Sequence, residues 1–250
     1  MKTAWIDHKS DNGEKMALFC FPHAGGTASY FAKWGKKLPG TALMPVQFPM
    51  REKRIKEPMP DSIQALVAAF VDECVDLLRE RPFAFFGHCS GSIAAYEAAK
   101  YAKETYNIEP KLLFVSSCYS PADYSAPVLS TLGNEDLLKE IEKTGFVTKE
   151  LLANPFMFEY FAPIVKKDFA LQENYRCSGA DPVSAPIVAL YGTDDQTMEK
   201  RELIQNWERF TTAGLSIESF RGTHIYLEQE TDTVLETISK YIKEYMANES

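Results

Sequence analysis

Long hydrophobic runs are missing from this 250-residue sequence, and none approaches the roughly 18 apolar residues that a membrane-spanning helix requires. The first residues, MKTAWIDHKSDNGEK, contain no apolar core of the kind that secretory signals carry. The cysteines are too few and too scattered for a disulfide framework: there are five, an odd number, without Cys-x-x-Cys spacing. We therefore expect a reduced, cytoplasmic protein.

Basic charge is also scarce, because 35 acidic residues outnumber 27 basic ones and give a net charge of -8. Nucleic acids and anionic membranes repel such a chain at long range, so we expect neither as a partner. Histidine and cysteine clusters with metal-ligand spacing are absent from the sequence, and we expect no metal and no resident cofactor. A small-molecule substrate or a protein partner remains.

Compact apolar segments alternate with segments of helical periodicity. Six segments are compact enough to be buried strands, at residues 16–21, 43–48, 83–87, 112–117, 187–192 and 216–220. Helical spacing of apolar residues occurs between and after them, at 30–38, 62–82, 92–106, 198–210 and 233–247. This alternation predicts an α/β fold with a parallel sheet and helices on both faces. Without a linker, the chain is expected to form one domain over residues 1–250.

One interval breaks the alternation. Residues 121–181 contain helical patterns and no convincing strand, and we interpret them as a helical lid inserted above the carboxyl ends of the strands. Within it, the apolar cluster FMFEYF at residues 156–161 suggests room for a hydrophobic substrate group.

A glycine-bracketed turn follows the third predicted strand. Gly87 and Gly91 flank Cys89 in a five-residue pattern that resembles the nucleophile turn of a serine hydrolase, with cysteine where serine is usual. Such a turn raises the central side chain above the sheet and places it at a helix N-terminus, which favours a thiolate. The alternative is a small buried residue packed into a strand–helix corner.

Two further strand ends supply partners for this cysteine. Asp194 and Asp195 follow the fifth predicted strand, and His224 follows the sixth. Nucleophile, acid and histidine in this chain order are typical of α/β-hydrolases. We predict that His224 takes the proton of Cys89 and that Asp195 orients the imidazole. Asp194 is the alternative acid, and the aspartate that is not used is expected to cap the following helix.

The loop after the first predicted strand completes the candidate site. Its sequence is PHAGG, residues 22–26, and glycines let backbone N–H groups approach a ligand closely. We predict two oxyanion donors: the N–H of Ala24 and the N–H of Ser90, the residue after the nucleophile. The alternative role of this loop is to open the next helix, and both roles are compatible.

These segments together resemble the type II thioesterases that serve nonribosomal peptide and polyketide synthases. The resemblance runs from about Met16 to Tyr245 and rests on four motifs, at Pro22–Gly26, Gly87–Gly91, Gly192–Asp195 and Gly222–His224. It implies a monomeric α/β-hydrolase with a helical lid, which removes acyl or aminoacyl groups from the phosphopantetheine thiols of carrier domains. The implied partners are therefore carrier domains, and the phosphopantetheine belongs to them.

A short basic segment, PMREKR, resembles the P-G-R-x-x-R segment of that family, with Met50 in place of the usual glycine. Its Arg51 and Arg54 are candidate contacts for the phosphopantetheine phosphate or for acidic residues of a carrier domain. A solvated loop with ordinary charge content is the alternative.

Sulfur at position 89 leaves three functions open. Acyl-Cys89 would itself be a thioester, so transfer from a carrier thiol is close to isoenergetic, whereas an acyl-serine lies lower in energy. The first hypothesis is a thioesterase in which His224 activates water against acyl-Cys89. The second is an acyltransferase that passes the group between carrier domains. The third is a catalytically inactive carrier-binding homologue, against which the presence of Asp195 and His224 argues.

Overall fold

The computed structural model describes residues 3–6, 9–11, 13–143, 154–179 and 181–248. Within them, six strands form one sheet in the order β2-β1-β3-β4-β5-β6, and every neighbouring pair is parallel. The strands are β1 (Met16–Phe21), β2 (Thr41–Pro45), β3 (Phe83–His88), β4 (Leu112–Ser116), β5 (Ile187–Gly192) and β6 (Leu215–Phe220). The predicted α/β fold with a parallel sheet is confirmed.

Helices connect the strands and cover both faces of the sheet. The α-helices are α1 (Ile63–Arg79), α2 (Ser90–Tyr106), α3 (Asn134–Glu142), α4 (Pro155–Asn174), α5 (Tyr226–Gln229) and α6 (Thr231–Asn248). The longer 3-10 helices are Ala28–Lys36 and Arg201–Phe210, and the shorter ones are Glu52–Arg54 and Gln196–Met198. Across the described parts of the chain, no helix combines the length and the apolar character needed to cross a membrane.

The central strands are apolar on both sides, as expected for a sheet that is covered on both faces. Phe19 of β1 and Phe85 of β3 point to the face that packs against α1 and α2. Their neighbours Leu18 and Phe86 point to the opposite face and join the core that includes Trp34. Each of these side chains is almost completely buried, which stabilises the fold by roughly 1.5–3 kcal/mol per large apolar side chain.

Two helices occupy the interval between β4 and β5 in which the sequence predicts a lid. They are α3 and α4, and they pack against each other through Leu137, Ile141 and Val165. The predicted lid at 121–181 lies partly outside the described residues, because 144–153 and 180 are not among them. Its described part contains α3 and α4, joined to the sheet by segments without regular structure and without a strand. Helix α4 lies over the loop that follows β1.

Candidate active site

The candidate residues are on four loops at one edge of the sheet. Because the strands are parallel, the loops after β1, β3, β5 and β6 all leave at the carboxyl edge, where α/β proteins bind ligands. In chain order these loops carry Ala24, Cys89, Asp195 and His224. The fold therefore brings the four predicted positions to one side of the molecule.

Cys89 occupies a sharp turn between β3 and α2. Its backbone angles are φ 53° and ψ -125°, a conformation that residues other than glycine rarely adopt. Its N–H donates to the Ser116 carbonyl at 2.8 Å, which ties the turn to β4. Both flanking glycines are sterically required. A Cβ at Gly87 would lie 2.1 Å from the Gly91 carbonyl oxygen, and a Cβ at Gly91 would lie 2.3 Å from the Phe21 carbonyl oxygen.

The acid and the histidine meet beside this turn. His224 Nδ1 lies 2.7 Å from Asp195 Oδ2, and the imidazole is also hydrogen-bonded to Cys89. The other oxygen of Asp195 accepts the N–H and the hydroxyl of Thr197, at 2.9 and 2.7 Å. Asp194 is exposed, and its backbone N–H donates to the Gly222 carbonyl. Asp195 thus both orients His224 and caps the short helix after it, although we expected these roles to fall to different aspartates.

His224 is held in its charged form over a wide pH range. Burial alone would lower its pKa, but the Cys89 sulfur and the Asp195 carboxylate together raise it to about 10. Burial would raise the pKa of Asp195, but hydrogen bonds from His224 and Thr197 more than offset this, and its pKa lies below the usual value. At neutral pH an imidazolium therefore lies between the Asp195 carboxylate and the Cys89 sulfur.

Two other histidines pack close to the site in neutral form. The rings of His23 and His88 are buried and lie 5.9 Å apart between centroids. Burial, together with the nearby His224 charge, lowers the pKa of His23 to about 3 and that of His88 well below its usual value. His88 Nδ1 lies 2.7 Å from Ser116 Oγ. Both rings support the site by packing, and His224 is the histidine that carries charge.

The two predicted oxyanion donors border one small cavity. Ala24 and Ser90 both line a space of about 20 Å³, enough for about one water molecule. Ser90 is the first residue of α2, so its N–H belongs to the first helical turn, where N–H groups lack intrahelical partners and the helix dipole favours negative charge. The cavity is thus bordered by both predicted donors, whereas Cys89 and His224 do not line it.

Arg51 is inside the protein, in a bidentate ion pair with Asp168 of α4. Its Nη2 lies 2.6 Å from Asp168 Oδ1 and its Nη1 lies 3.0 Å from Oδ2, with the two side chains 2% and 7% exposed. Nη1 also donates to the Gly26 carbonyl at 2.8 Å. These contacts satisfy the guanidinium internally, so they do not fit the exposed phosphate or carrier contact that we expected from the sequence.

Arg54 is also buried, so it does not fit the expected contact with a phosphate or a carrier domain either. Its Nη2 lies 2.6 Å from the carboxylate of Glu57, its Nη1 donates to the Gln47 carbonyl at 2.8 Å, and its guanidinium stacks 4.0 Å above the Trp5 ring. The neighbouring Met50 has φ 65°, the left-handed conformation that glycine adopts most easily. The turn thus forms without the glycine that is usual in the family, and Met50 adopts an unfavourable backbone conformation.

Two residues beside the candidate site were not predicted from the sequence. Thr197 binds the Asp195 carboxylate, and its hydroxyl two residues after an aspartate at a strand end was an available signal. Asp168 binds Arg51, and its position among the apolar residues of α4, directly after Lys166 and Lys167, gave no clear signal. The signal at Thr197 is local, whereas Asp168 and Arg51 lie 117 positions apart, so the sequence does not pair them.

The family of the chain follows from its overall match to known proteins. Residues 16–242 match the family model described as the thioesterase domain. The chain belongs to the thioesterase family. As a thioesterase it is a hydrolase that acts on thioesters, and its nucleophile turn carries cysteine.

Curated relatives match almost the whole chain. It is 27% identical over 241 residues to the thioesterase PikA5 of Streptomyces venezuelae, covering 95% of this chain and 85% of the relative. It is also 27% identical over 237 residues to the linear gramicidin dehydrogenase LgrE of Brevibacillus parabrevis, covering 93% of this chain and 89% of the relative. In this chain the first strand is followed by PHAGGTAS, which does not contain the G-x-G-x-x-G pattern of dinucleotide sites.

Solved structures of thioesterases have the same architecture. ClbQ, from the colibactin nonribosomal peptide and polyketide pathway, superposes with a TM-score of 0.87 at 28% identity, covering 94% of this chain and 99% of ClbQ. YbtT, the type II thioesterase of the yersiniabactin pathway, superposes with a TM-score of 0.83 at 25% identity, covering 94% and 95%. The sheet and its helices are therefore those of an α/β-hydrolase thioesterase.

Proposed function

We propose that this thioesterase removes acyl or aminoacyl groups from the phosphopantetheine thiols of carrier domains in nonribosomal peptide or polyketide synthesis. The observation that carries the proposal is the chain of contacts from Cys89 through His224 to Asp195 at the carboxyl edge of the sheet. Similarity to YbtT, a type II thioesterase of the yersiniabactin pathway, and to ClbQ of the colibactin pathway supports the substrate class.

In the first step, Cys89 reacts as a thiolate beside the His224 imidazolium, and its sulfur attacks the thioester carbonyl carbon of the substrate. The carbonyl oxygen becomes an oxyanion, which the N–H groups of Ala24 and Ser90 stabilise. The intermediate then collapses: the bond to the pantetheine sulfur breaks, and the imidazolium of His224 gives its proton to the departing thiolate. The products are acyl-Cys89, free pantetheine thiol and neutral His224, so protons and charges balance.

In the second step, neutral His224 takes a proton from water while the water oxygen attacks the acyl-Cys89 carbonyl. The bond to Sγ breaks, the free acid leaves, and His224 returns to the charged form beside the Cys89 sulfur. Asp195 stabilises that charge throughout, because its carboxylate lies 2.7 Å from Nδ1. Both steps use only side chains, backbone N–H groups and water, and we propose that the reaction needs no metal or resident cofactor.

Acyl transfer between carrier domains is the second candidate, and sulfur at position 89 favours it. Acyl-Cys89 remains an activated thioester, so a second carrier thiol can take the acyl group in place of water. The third hypothesis, an inactive carrier-binding homologue, is disfavoured by the contacts of His224 with both Cys89 and Asp195.

The proposed partner is an acyl or peptidyl carrier domain that meets a monomeric enzyme, and nucleic acid and membrane are not proposed as partners. A reduced, cytoplasmic setting is part of the proposal. It is supported by the five cysteines, all of which are free thiols in the structure.

The test follows the intact mass of the protein with a carrier domain loaded with an acyl or aminoacyl group. Wild type is compared with Cys89→Ala and with Cys177→Ala, a matched control at another partly exposed free thiol. Free acid and a transient label in wild type and Cys177→Ala, with neither in Cys89→Ala, are expected. An unchanged rate in Cys89→Ala would remove Cys89 from the mechanism.

An empty second holo-carrier, added midway, distinguishes the two catalytic candidates. Free acid that forms without the second carrier supports hydrolysis. A label that persists on the protein until the second carrier arrives, and then moves to it, supports transfer. An absence of both label and product would support the inactive homologue.

A further inference from the structure

The loop that carries Ala24 is held from outside by a carboxylate of helix α4. Asp168 Oδ2 accepts the N–H of Gly25 at 2.7 Å and the Nη1 of Arg51 at 3.0 Å, while Oδ1 accepts Nη2 at 2.6 Å. Arg51 in turn donates to the Gly26 carbonyl. The N–H of Gly25 and the carbonyl of Gly26, the two residues after Ala24, are thus both hydrogen-bonded to one buried ion pair.

The same loop is anchored on its other side by Gln47. Its Oε1 accepts the N–H of Ala28 at 2.9 Å, and its Nε2 donates to the Phe48 carbonyl at 3.2 Å. These bonds connect the loop to the segment after β2, and they do not involve α4. The contacts of Asp168 are therefore a polar link from α4 to the backbone beside Ala24.

Helix α4 also packs directly on this backbone. Gly25 has φ +74°, and a Cβ built on it would lie 2.6 Å from the Phe161 ring and 3.0 Å from a Val165 methyl group. Only glycine leaves space for this approach. The position of the Gly25 peptide, and with it the direction of the neighbouring N–H of Ala24, therefore depends on where α4 lies.

Charge explains why the carboxylate needs Arg51. Asp168 lines the same cavity of about 20 Å³ as Ala24 and Ser90. An unpaired carboxylate there would repel a developing oxyanion, and the repulsion would be strong because screening is weak in a buried site. The bidentate guanidinium neutralises that charge and satisfies its oxygens, so the carboxylate can orient the loop without opposing the reaction.

We propose that Arg51 and Asp168 are positioning residues that hold the Ala24 N–H in the oxyanion hole while α4 is seated on the loop. The inference rests on the proposed function and assigns these two residues to its first step. Displacement of α4 would release the Gly25 and Gly26 backbone and disassemble the oxyanion hole, so the position of this helix and the reactivity of the site are coupled.

The test compares two reactions of Cys89 in wild type and Asp168→Asn. Alkylation by iodoacetamide requires the sulfur but no oxyanion donor. Octanal binds reversibly: Sγ adds to the carbonyl carbon, the C=O π bond becomes a C–O single bond, and the proton shared by the Cys89–His224 pair passes to the oxygen. The oxygen of this thiohemiacetal lies where the oxyanion would form. Steady-state hydrolysis of octanoyl-pantetheine supplies kcat and KM.

Asp168→Asn is expected to weaken octanal binding and to lower kcat by about 10- to 100-fold, the range for a displaced oxyanion donor. KM and the alkylation rate should stay within about twofold. The matched control is Asp11→Asn, which breaks another bidentate pair, with Arg81, at 2.8 and 3.1 Å. That pair lies near the amino ends of the strands, and its loss should change neither reaction of Cys89.

A second variant is needed in case Asp168→Asn does not fold, because this substitution leaves the charge of Arg51 buried without a counter-charge. The double variant Arg51→Met/Asp168→Leu replaces both charges by apolar side chains and should show the same selective loss. Unchanged octanal binding and kcat in either folded variant would overturn the inference, as would alkylation slowed by the same factor as octanal binding. A wild type that binds octanal but releases no acid from acyl carriers would instead contradict the proposed function, and selective loss of octanal binding would still support the inference.

Discussion

Replacement of Cys89 by serine is expected to lower the pKa of His224 by more than one unit. In the wild-type protein, attraction to Cys89 is the first of the interactions that raise this pKa, against burial, from 6.5 to about 10. That rise corresponds to roughly 5 kcal/mol of preference for the charged imidazole, at about 1.4 kcal/mol per unit. A serine hydroxyl stays neutral in this pH range, so its attraction is lost while that of Asp195 remains. If Cys89 supplies a third or more of the rise, the pKa falls by more than one unit.

The same substitution should reverse the pH dependence of acylation. With cysteine, the imidazolium is needed to protonate the departing thiolate, so the rate should fall as the pH rises through about 10. With serine, neutral His224 is needed as the base, so the rate should rise with pH across the neutral range. Opposite slopes of the single-turnover rate with an acyl-pantetheine thioester are the expected kinetic result.

The pKa itself can be measured by NMR titration of ¹³C-labelled histidine. The sequence has only four histidines, and a His224→Gln variant identifies the signal. His23 and His88 serve as internal controls, because burial keeps them neutral. A wild-type His224 that titrates near 6.5, or an identical midpoint in wild type and Cys89→Ser, would refute the reasoning.

The raised pKa of His224 also predicts how stability depends on pH. The charged form contributes its full stabilisation below the unfolded pKa of about 6.5, and this contribution is lost as the pH rises through about 10. Wild type should therefore lose more unfolding free energy than His224→Gln between about pH 8 and about pH 11, as urea denaturation would measure. Parallel losses in the two proteins would contradict the assignment.

Three further substitutions test the turn, the acid and the basic loop. Gly87→Ala should destabilise the fold by about 3 kcal/mol or more, because its Cβ meets backbone at 2.1 Å, whereas Gly133→Ala meets nothing within 4 Å and should be nearly neutral in denaturation experiments. Asp195→Asn should lower kcat by roughly 10⁴-fold, as expected when the histidine tautomer is wrong, and the exposed Asp194→Asn should leave it within about threefold. Met50→Gly should remove the strain of the left-handed backbone, which costs roughly 1 kcal/mol, but it also removes a packed side chain. The two effects oppose each other, so the melting temperature should change by only a few degrees.

The strands were predictable because burial on both faces leaves compact apolar segments. The predicted 187–192 is β5 itself, and 216–220 lacks only the first residue of β6. The predicted 43–48 begins two residues after the start of β2 and ends three residues beyond Pro45. Val46 and Phe48 are as apolar as the strand but lie beyond the parallel ladder, and Val46 forms an isolated antiparallel bridge with Ile6. Apolar pattern alone does not show where pairing stops.

Helix type was less predictable than helix position. Segments 30–38 and 198–210 show helical spacing, and they form the 3-10 helices Ala28–Lys36 and Arg201–Phe210. Over nine or ten residues, periods of 3.0 and 3.6 place most apolar side chains on the same face, so the pattern cannot separate them. Packing against the sheet decides which of the two forms.

The residues of the candidate site also differ in how well the sequence predicts them. Cys89, Asp195 and His224 were predictable because each follows a strand, and parallel strands bring such positions to one edge. Arg51 and Asp168 were not, because they are 117 positions apart and nothing local pairs them. A basic loop has the same composition whether its arginines face solvent or a buried carboxylate, so only tertiary structure distinguishes the two cases.

The outcome of acyl-Cys89 should depend on the space beside it, because a thioester intermediate reacts with either water or a thiol. With α4 seated, the cavity bordered by Ala24 and by Ser90, the residue after Cys89, holds about one water molecule, and we expect a pantetheine arm to need more room than this. Phe161→Ala removes the ring that packs on Gly25 and should raise the ratio of acyl transfer to hydrolysis severalfold when a second holo-carrier is present. Tyr160→Ala, at a side chain on the same helix that is 63% exposed, is the matched control and should leave the ratio unchanged. Equal ratios in the two variants would show that the packing of α4 does not select the acceptor.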